Sequence, residues 1–361
     1  MSWKHVRRFL PIIGVGLFVY LLIFRVGITK IFQEIEHVNL YYVAVVFVLV
    51  FIFFVTQTAK WWIIARKQKI NVSFKEAFKI NLVSNFYGFI TPSKLGSIIR
   101  VDYLKGKGDT GRGLSNFVID KVLDLSSLFI LAISFGFIFY QKIISSTYLF
   151  FIIGLFLLMI TIAFIFYKKD ATKPLLRFVH RVLIPSKMKE KSRELFDSFY
   201  KDMPPLGFLF FVFIINLVNW IIDYTSMYFM ALALGIDIGF VPFLAILPIS
   251  TLVAQIPITI NGFGTREITM ISLFGLFGVP EVKVLSMSIL NILATNVIPS
   301  LIALPFLFRR ERTKGSSLEQ KELYSRERTK GSSLEQRELY SKERTKGSSL
   351  EQRELYSKER K

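Results

Sequence analysis

Two stretches of this chain bring proline, glycine and arginine together within otherwise apolar sequence. The first is Pro92-Ser93-Lys94-Leu95-Gly96-Ser97-Ile98-Ile99-Arg100. The second is Pro257-Ile258-Thr259-Ile260-Asn261-Gly262-Phe263-Gly264-Thr265-Arg266-Glu267. A helix broken at proline or glycine exposes free N–H groups where it resumes, and these attract anions. Arg100 and Arg266 add guanidinium groups that fit a phosphate bidentately, and Lys94 adds a point charge beside the first break. Glu267 could pair with an arginine in an empty site or receive a substrate amine. The chemistry on offer is recognition of an anionic head group, with Pro92, Gly96, Pro257, Asn261, Gly262 and Gly264 shaping the backbone. The competing reading has proline and glycine merely turning the chain, with each arginine reaching out to an interface.

Further ionisable groups lie in apolar surroundings. Asp120, Lys121 and Asp124 open a long apolar block; the two aspartates share a helix face, and Lys121 reaches Asp124 at i+3. Charges inside a membrane span are costly, so a site or a coupling relay is one reading and placement at the interface is the other. Asn216, Asn219 and Asp223 fall on one face at i, i+3, i+7 of another block. The asparagines, like Asn291 and Asn296, suit hydrogen bonds between helices, whereas Asp223 is a lone carboxylate deep in a span. These aspartates and Lys121 would supply counter-charges or proton coupling.

Catalytic and cofactor signatures are not evident. Gly106-Lys107-Gly108-Asp109-Thr110-Gly111 matches G-x-G-x-x-G and contains G-x-G-D, but it sits in a basic polar loop with no strand before it. His5, His37 and His180 form no ligand set, and no cysteine is present, so neither a metal nor another cofactor is expected. An enzyme is not expected either. The formal charge of +20 raises nucleic-acid binding, yet Lys and Arg sit in short segments between apolar blocks, as loops facing anionic lipid do.

The elements that position these residues are membrane helices. Of the 361 residues 52% are hydrophobic, 37 of them Phe, and they come in blocks instead of periodic stripes. About 20 apolar residues span the hydrocarbon core as a helix. Phe9–Phe24, Leu40–Ala59, Phe117–Tyr140, Tyr148–Tyr167, Leu206–Leu234 and Val284–Phe308 qualify, the first as a retained span and not a cleaved signal. The basic segments Met1–Arg8, Lys60–Lys79, Lys168–Pro205 and Arg309-Arg310 belong to the cytoplasmic side, and Arg25–Asn39 to the outside. Leu195, Phe199 and Met203 suit an amphipathic helix on the inner surface.

Ile80–Ile90 is too short to cross, as is Ile268–Val279 after the longer Phe240–Ile260. If both regions are re-entrant, the first entering from the cytoplasm and the second from outside, every charged loop falls on its proper side. The expected architecture is all-α and polytopic: six full spans plus two re-entrant or broken hairpins, with both termini cytoplasmic. Eight spans, some short and tilted, is the alternative. Paired broken segments in corresponding positions of two halves point to a transport site built on an inverted repeat.

Residues 1–310 make the membrane domain. Residues 311–361 are tandem copies of a 16-residue unit, ERTKGSSLEQ(K/R)ELYS(R/K), with too few apolar residues for a core. A disordered or weakly helical cytoplasmic tail is expected.

At the broken segments and at Asp120-Lys121-Val122-Leu123-Asp124 the chain resembles the integral-membrane region of lysylphosphatidylglycerol synthases, which UPF0104 membrane proteins share. The family pattern is P-G-x-x-G-E-x-x-R, then E-R-x-x-D, then G-G-x-G-x-R-E. Ser93 and Ser97 here replace a Gly and the Glu of the first motif, Asp120-Lys121 replaces Glu-Arg, and Asn261 replaces a Gly. The resemblance covers residues 1 to about 310 and implies movement of a lipid between leaflets. It does not extend to aminoacyl transfer, which needs a soluble domain. The function expected is that of a flippase-like transporter in the cell membrane for an anionic phospholipid or a polyprenyl-phosphate-linked lipid. Membrane lipids are then its partners, and nucleic acid is not. The alternative is a non-catalytic membrane subunit docking a separate glycosyltransferase or lipid-modifying synthase.

Overall fold

A computed structural model describes Tyr20 and residues 27–91, 94–104, 110–138, 146–170, 172, 189–256, 259 and 261–307. The expected first span (Tyr20 apart), the Gly106–Asp109 part of the glycine-rich match, Pro92, Pro257 and the tandem repeats lie outside the described residues. Residues to Leu304 form one unit, and a second begins at Pro305.

All described elements are helical. Five helices are long and apolar enough to cross a membrane: Leu40–Lys67, Thr110–Ile138, Leu149–Tyr167, Leu206–Ala233 and Glu281–Leu307. They match five of the six expected spans. In chain order the elements are α1 (Ile28–Glu36), α2 (Leu40–Lys67), α3 (Phe74–Phe89), a 3-10 turn (Leu95–Ile98), α4 (Ile99–Tyr103) and α5 (Thr110–Ile138). Then follow α6 (Ser146–Tyr167), α7 (Lys189–Tyr200), α8 (Leu206–Ala233), α9 (Phe240–Ala254), α10 (Thr265–Gly275) and α11 (Glu281–Ile292). A π-turn at Leu293–Val297 carries α11 onward.

Local chemistry sets the starts. The Asn39 side chain accepts from the Tyr41 N–H at the head of α2, and Ser73 accepts from the Glu76 N–H at the head of α3. Pro205 and Pro280 precede α8 and α11, where a missing N–H costs no helical bond. Helix α2 lies at the centre. Its Ile64 packs with Ile119 and Leu123 of α5 and Val212 of α8. Its Trp61 and Ala65 pack with Ala77 and Ile80 of α3 and with Leu104. Helix α6 is the opposite case: Phe150, Phe151, Leu157 and Leu158 stay exposed, as a face turned to lipid does.

The loops gather at two ends. At one, Arg112 donates to the Gln68 carbonyl (3.2 Å), and Lys69 (2.8 Å) and Arg112 (3.3 Å) pair with Asp202. At the other, the Asn39 N–H donates to the Ala233 carbonyl (3.0 Å) and Lys283 Nζ to the Leu234 carbonyl (3.0 Å). This is the grouping the charge pattern implies. The expected amphipathic helix is present as α7 through Leu195 and Phe199 but ends at Tyr200, before Met203; it packs against α5 so closely that a Cβ on Gly111 would meet the Leu195 carbonyl at 2.6 Å.

The Lys69–Asp202–Arg112 link gives a pH-dependent contribution. The Lys69 hydrogen bond, aided by the charges of Lys69 and Arg112, holds the Asp202 carboxyl below its ordinary range although partial desolvation pushes it up. A depressed folded-state value adds stability above the unfolded value of about 3.9, lost as pH falls through the folded one. Asp202→Asn is therefore expected to lower the melting temperature at pH 7 and to converge with the parent as pH falls through the folded-state value, read by thermal unfolding in detergent. An unchanged gap across that range would refute the assignment.

Candidate functional site

Both broken segments fold as hairpins that enter and leave by the same end. α3 runs from the Lys69 end to Phe89 and Thr91, and from Lys94 the chain runs back through the 3-10 turn and α4 to Leu104. α9 starts after Gly239 and ends at Ala254, and α10 runs back from Thr265 toward Lys283. Their tips meet. The Asn261 N–H donates to the Thr91 carbonyl (3.4 Å), and the Phe89 and Phe263 rings touch edge to face with centroids 5.8 Å apart. Because each hairpin comes from a different end, the contact closes the middle of the molecule. The re-entrant reading fits this geometry.

The tips need unusual backbone. Lys94 (φ 54°) and Asn261 (φ 49°) are left-handed. Asn tolerates this conformation better than other non-glycine residues, which accounts for Asn261 where the family pattern has glycine. A Cβ on Gly96 would overlap the Tyr87 carbonyl, and one on Gly262 (φ 79°) would overlap the Ala254 side chain. Both glycines are therefore required by close approach of the two arms. Ser97 Oγ donates to the Lys94 carbonyl (2.7 Å), fastening the first turn.

Glu267 closes the second turn. One carboxylate oxygen accepts from the Gly264 N–H (2.7 Å) and the other from Ser288 Oγ (2.9 Å), with the side chain 1% exposed. Among the described residues its polar contacts are those of a helix cap, and the expected pairing with an arginine is not formed. The structure thus gives Glu267 the task of starting α10.

Beneath the first tip lies a buried ionic network. Lys60, 1% exposed, pairs with Asp120 (3.0 Å) and Asp124 and donates to Asn216 (2.7 Å). Arg100 Nη2 donates to the other oxygen of Asp120 (2.8 Å), and its guanidinium carbon lies 5.2 Å from the centre of the Trp61 ring and 5.3 Å from that of Phe117. Two cations and two carboxylates are thus paired, as burial of charge demands. Arg100, expected as a phosphate clamp, is engaged by Asp120, though its Nε has no partner among the described residues.

Lys60 is the member that sequence reading misses. It was expected in a cytoplasmic loop, because the apolar block ends at Ala59; α2 instead continues to Lys67 and carries Lys60 inside. The polar run Thr56-Gln57-Thr58 just before it was the available signal. Thr56 donates to Asn219, while Asn81 Nδ2 donates to Gln57 (3.0 Å) and to Thr58 (3.0 Å). Asn216 and Asn219 therefore make the expected bonds between helices.

A small polar cavity of about 60 Å3 opens above this network, lined by Asn85, Lys94, Ser97, Arg100, Lys121 and Asp124 among others. Asn85 also donates to the Thr295 carbonyl (3.3 Å) in the π-turn, tying the first hairpin to the last helix. Lys94 pairs with no carboxylate among the described residues, and neither does Arg266. Among the described residues Arg266 Nη2 donates to the Met227 sulfur (3.4 Å), and its buried Nε has no hydrogen-bond partner. Lys121, one-third exposed, lies 3.8 Å from Asp124. Asp223 has Lys94 and Arg266 as its electrostatic neighbours. Among the described residues, then, Lys94 and Arg266 make no ion pair, Lys121 makes one at 3.8 Å, and Asp223 has no ion-pair partner.

The profile of the lysylphosphatidylglycerol synthase TM region matches residues 9–303. The chain belongs to that family. Relatives include a UPF0104 membrane protein of Methanocaldococcus jannaschii, 24% identical over 84% of this chain and 94% of its own length. Others from Pyrococcus horikoshii (25%) and Methanothermobacter thermautotrophicus (23%) each align over 82% of this chain, covering 95% and 91% of their own lengths. The matched region is the multi-pass membrane unit and ends before the tandem repeats. Within it the structure joins two family motifs directly, through the Arg100–Asp120 bond, and brings the third against the first at the hairpin tips.

Proposed function

We propose that this protein moves an anionic lipid, a phospholipid or a polyprenyl-phosphate-linked lipid, between the leaflets, with the head group passing the seam where the two hairpins meet. The observation that carries this reading is the meeting of two re-entrant tips from opposite ends beside Lys94, Lys121 and Arg266. Lys94 and Arg266, without an ion pair among the described residues, and Lys121, with one of 3.8 Å to Asp124, are costly in a low-dielectric setting unless an anion visits them. Among the described residues the tips meet through the Asn261–Thr91 hydrogen bond and the Phe89–Phe263 ring pair, and in this reading they part and re-form as the head group passes.

In this reading Lys94, Lys121 and Arg266 hold the phosphate, and Arg100 offers its free Nε from the cavity wall. Asp223 returns the cations to near balance after the lipid leaves. Gly96, Asn261, Gly262 and Gly264 set the tips, with Pro92 and Pro257 at the breaks. Asp120 and Asp124 fix Arg100 and Lys60. No bond is made or broken, so the protein is a carrier and not a catalyst. The Lys69–Arg112 end faces the cytoplasm, as its positive charge favours, and both termini lie on that side.

The test uses purified protein in liposomes with head-group-labelled phosphatidylglycerol or polyprenyl phosphate and an impermeant quencher outside. Inner-leaflet label should lose protection only when protein is present, and Lys94→Ala with Arg266→Ala should slow that loss by about tenfold or more, the effect of removing charge-assisted contacts. Protection unchanged by folded parent protein would overturn transport by this chain alone. It would favour a membrane subunit that docks a separate enzyme.

A further inference from the structure

Resting on that reading, we infer that an apolar groove beside the second hairpin holds a hydrocarbon chain of the transported lipid while its head group sits on Lys121 and Arg266. The groove has a volume of about 590 Å3, within the size range of ligand sites, and is walled by α5, α6, α9 and α10. Two of its walls begin at the cations. On α5, Leu125 and Phe129 line the groove and follow Lys121 at i+4 and i+8. On α10, Thr269 and Leu273 line it and follow Arg266 at i+3 and i+7. Residues at those spacings share a helix face, so each cation heads a stripe that runs into the groove one turn, about 5.4 Å, away. Phosphate at the head of a chain meets that arrangement with charge at one end and methylenes along the rest.

The lipid side of the groove is α6, whose Leu155 lines it while 40% exposed. A chain can enter there from the bilayer without crossing a polar barrier. Its tail gains little by exchanging one hydrocarbon surrounding for another. Affinity therefore comes from the head group, and the groove selects by shape and keeps the tail beside the path. A phosphate lacking a chain is a poor cargo on this account.

The inference is tested with full-length protein in phosphatidylcholine nanodiscs and a long-chain alkyl phosphate carrying a photoreactive diazirine in mid-chain, with an uncharged alkyl glucoside diazirine beside it. The phosphate probe should label peptides holding Leu125 and Leu273. Labelling should fall about tenfold or more in Lys121→Ala/Arg266→Ala, and be competed by unlabelled dodecyl phosphate but not by inorganic phosphate. Leu125→Trp should block it; if that variant fails to fold, Leu155→Trp fills the groove from its exposed side. Equal labelling by both probes, or labelling spread over the exposed α8 face at Phe210 and Ile214, would mean bulk lipid only and overturn the inference. Because labelling reads binding alone, groove labelling without flipping removes the transport reading, and flipping without groove labelling removes the groove.

Discussion

Replacing Lys60 by methionine is expected to destabilise the membrane unit by about 3–5 kcal/mol, the usual consequence of stripping one partner from a buried ion pair. Lys60 is the ammonium shared by Asp120, Asp124 and Asn216. Without it Asp120 keeps only Arg100, and Asp124 keeps only the distant Lys121, so carboxylate charge is left in a site that water scarcely reaches. Pairing Lys60→Met with Asp124→Asn removes one charge of each sign and should restore much of the loss. The measurement is thermal unfolding in detergent followed by tryptophan emission, which samples the network because Trp61 lies against Arg100. A Lys60→Met protein within about 0.5 kcal/mol of the parent, the range of an inconsequential surface change, would show that the network is not a structural keystone.

Joining the two hairpin tips is expected to stop lipid movement altogether. The natural chain has no cysteine, so Phe89→Cys with Phe263→Cys supplies the only thiols, at side chains that already touch. Oxidation, or a short bifunctional maleimide where disulfide geometry is not met, should bring the liposome assay down to the protein-free rate. Reductant should restore the oxidised sample. Each single-cysteine variant, treated alike, should keep its activity and so control for the lost ring contact. Full transport by cross-linked protein would mean that the tips do not part during the cycle, and the seam would lose its place in the path.

These experiments separate two roles that the sequence presents as one. Arg100 and Arg266 occupy equivalent places in their segments, each after a proline and a glycine. The structure sends Arg100 into a closed ionic network and leaves Arg266 against a methionine sulfur. Asn216, Asn219 and Asp223 likewise share a helix face. Asn216 nevertheless serves Lys60 and Asn219 accepts from Thr56, while Asp223 has Lys94 and Arg266 among its charged neighbours. The two hairpins also differ in their return arms: a 3-10 turn and one helical turn in the first, 11 residues of α10 in the second. An inverted repeat, if it underlies the fold, is approximate.

By itself the sequence determined the solvent and the period of the structure. Apolar runs of about 20 residues can satisfy their backbone in a bilayer only as helices, and the positions of Lys and Arg sorted the loops into two groups. It also determined where helices must break, because proline and glycine act on their own few residues. The Glu267 cap was within reach of the same local reasoning, since glutamate three residues after the helix start is a capping-box spacing. Tertiary structure alone decided which charges cancel and which stay available. Lys60 is 60 residues from Asp120, and Thr91 is 170 from Asn261. No local preference encodes those distances; they follow from packing α2 against α5 and from setting two hairpins tip to tip. Pairing depends on a few ångströms, and only the folded chain supplies them.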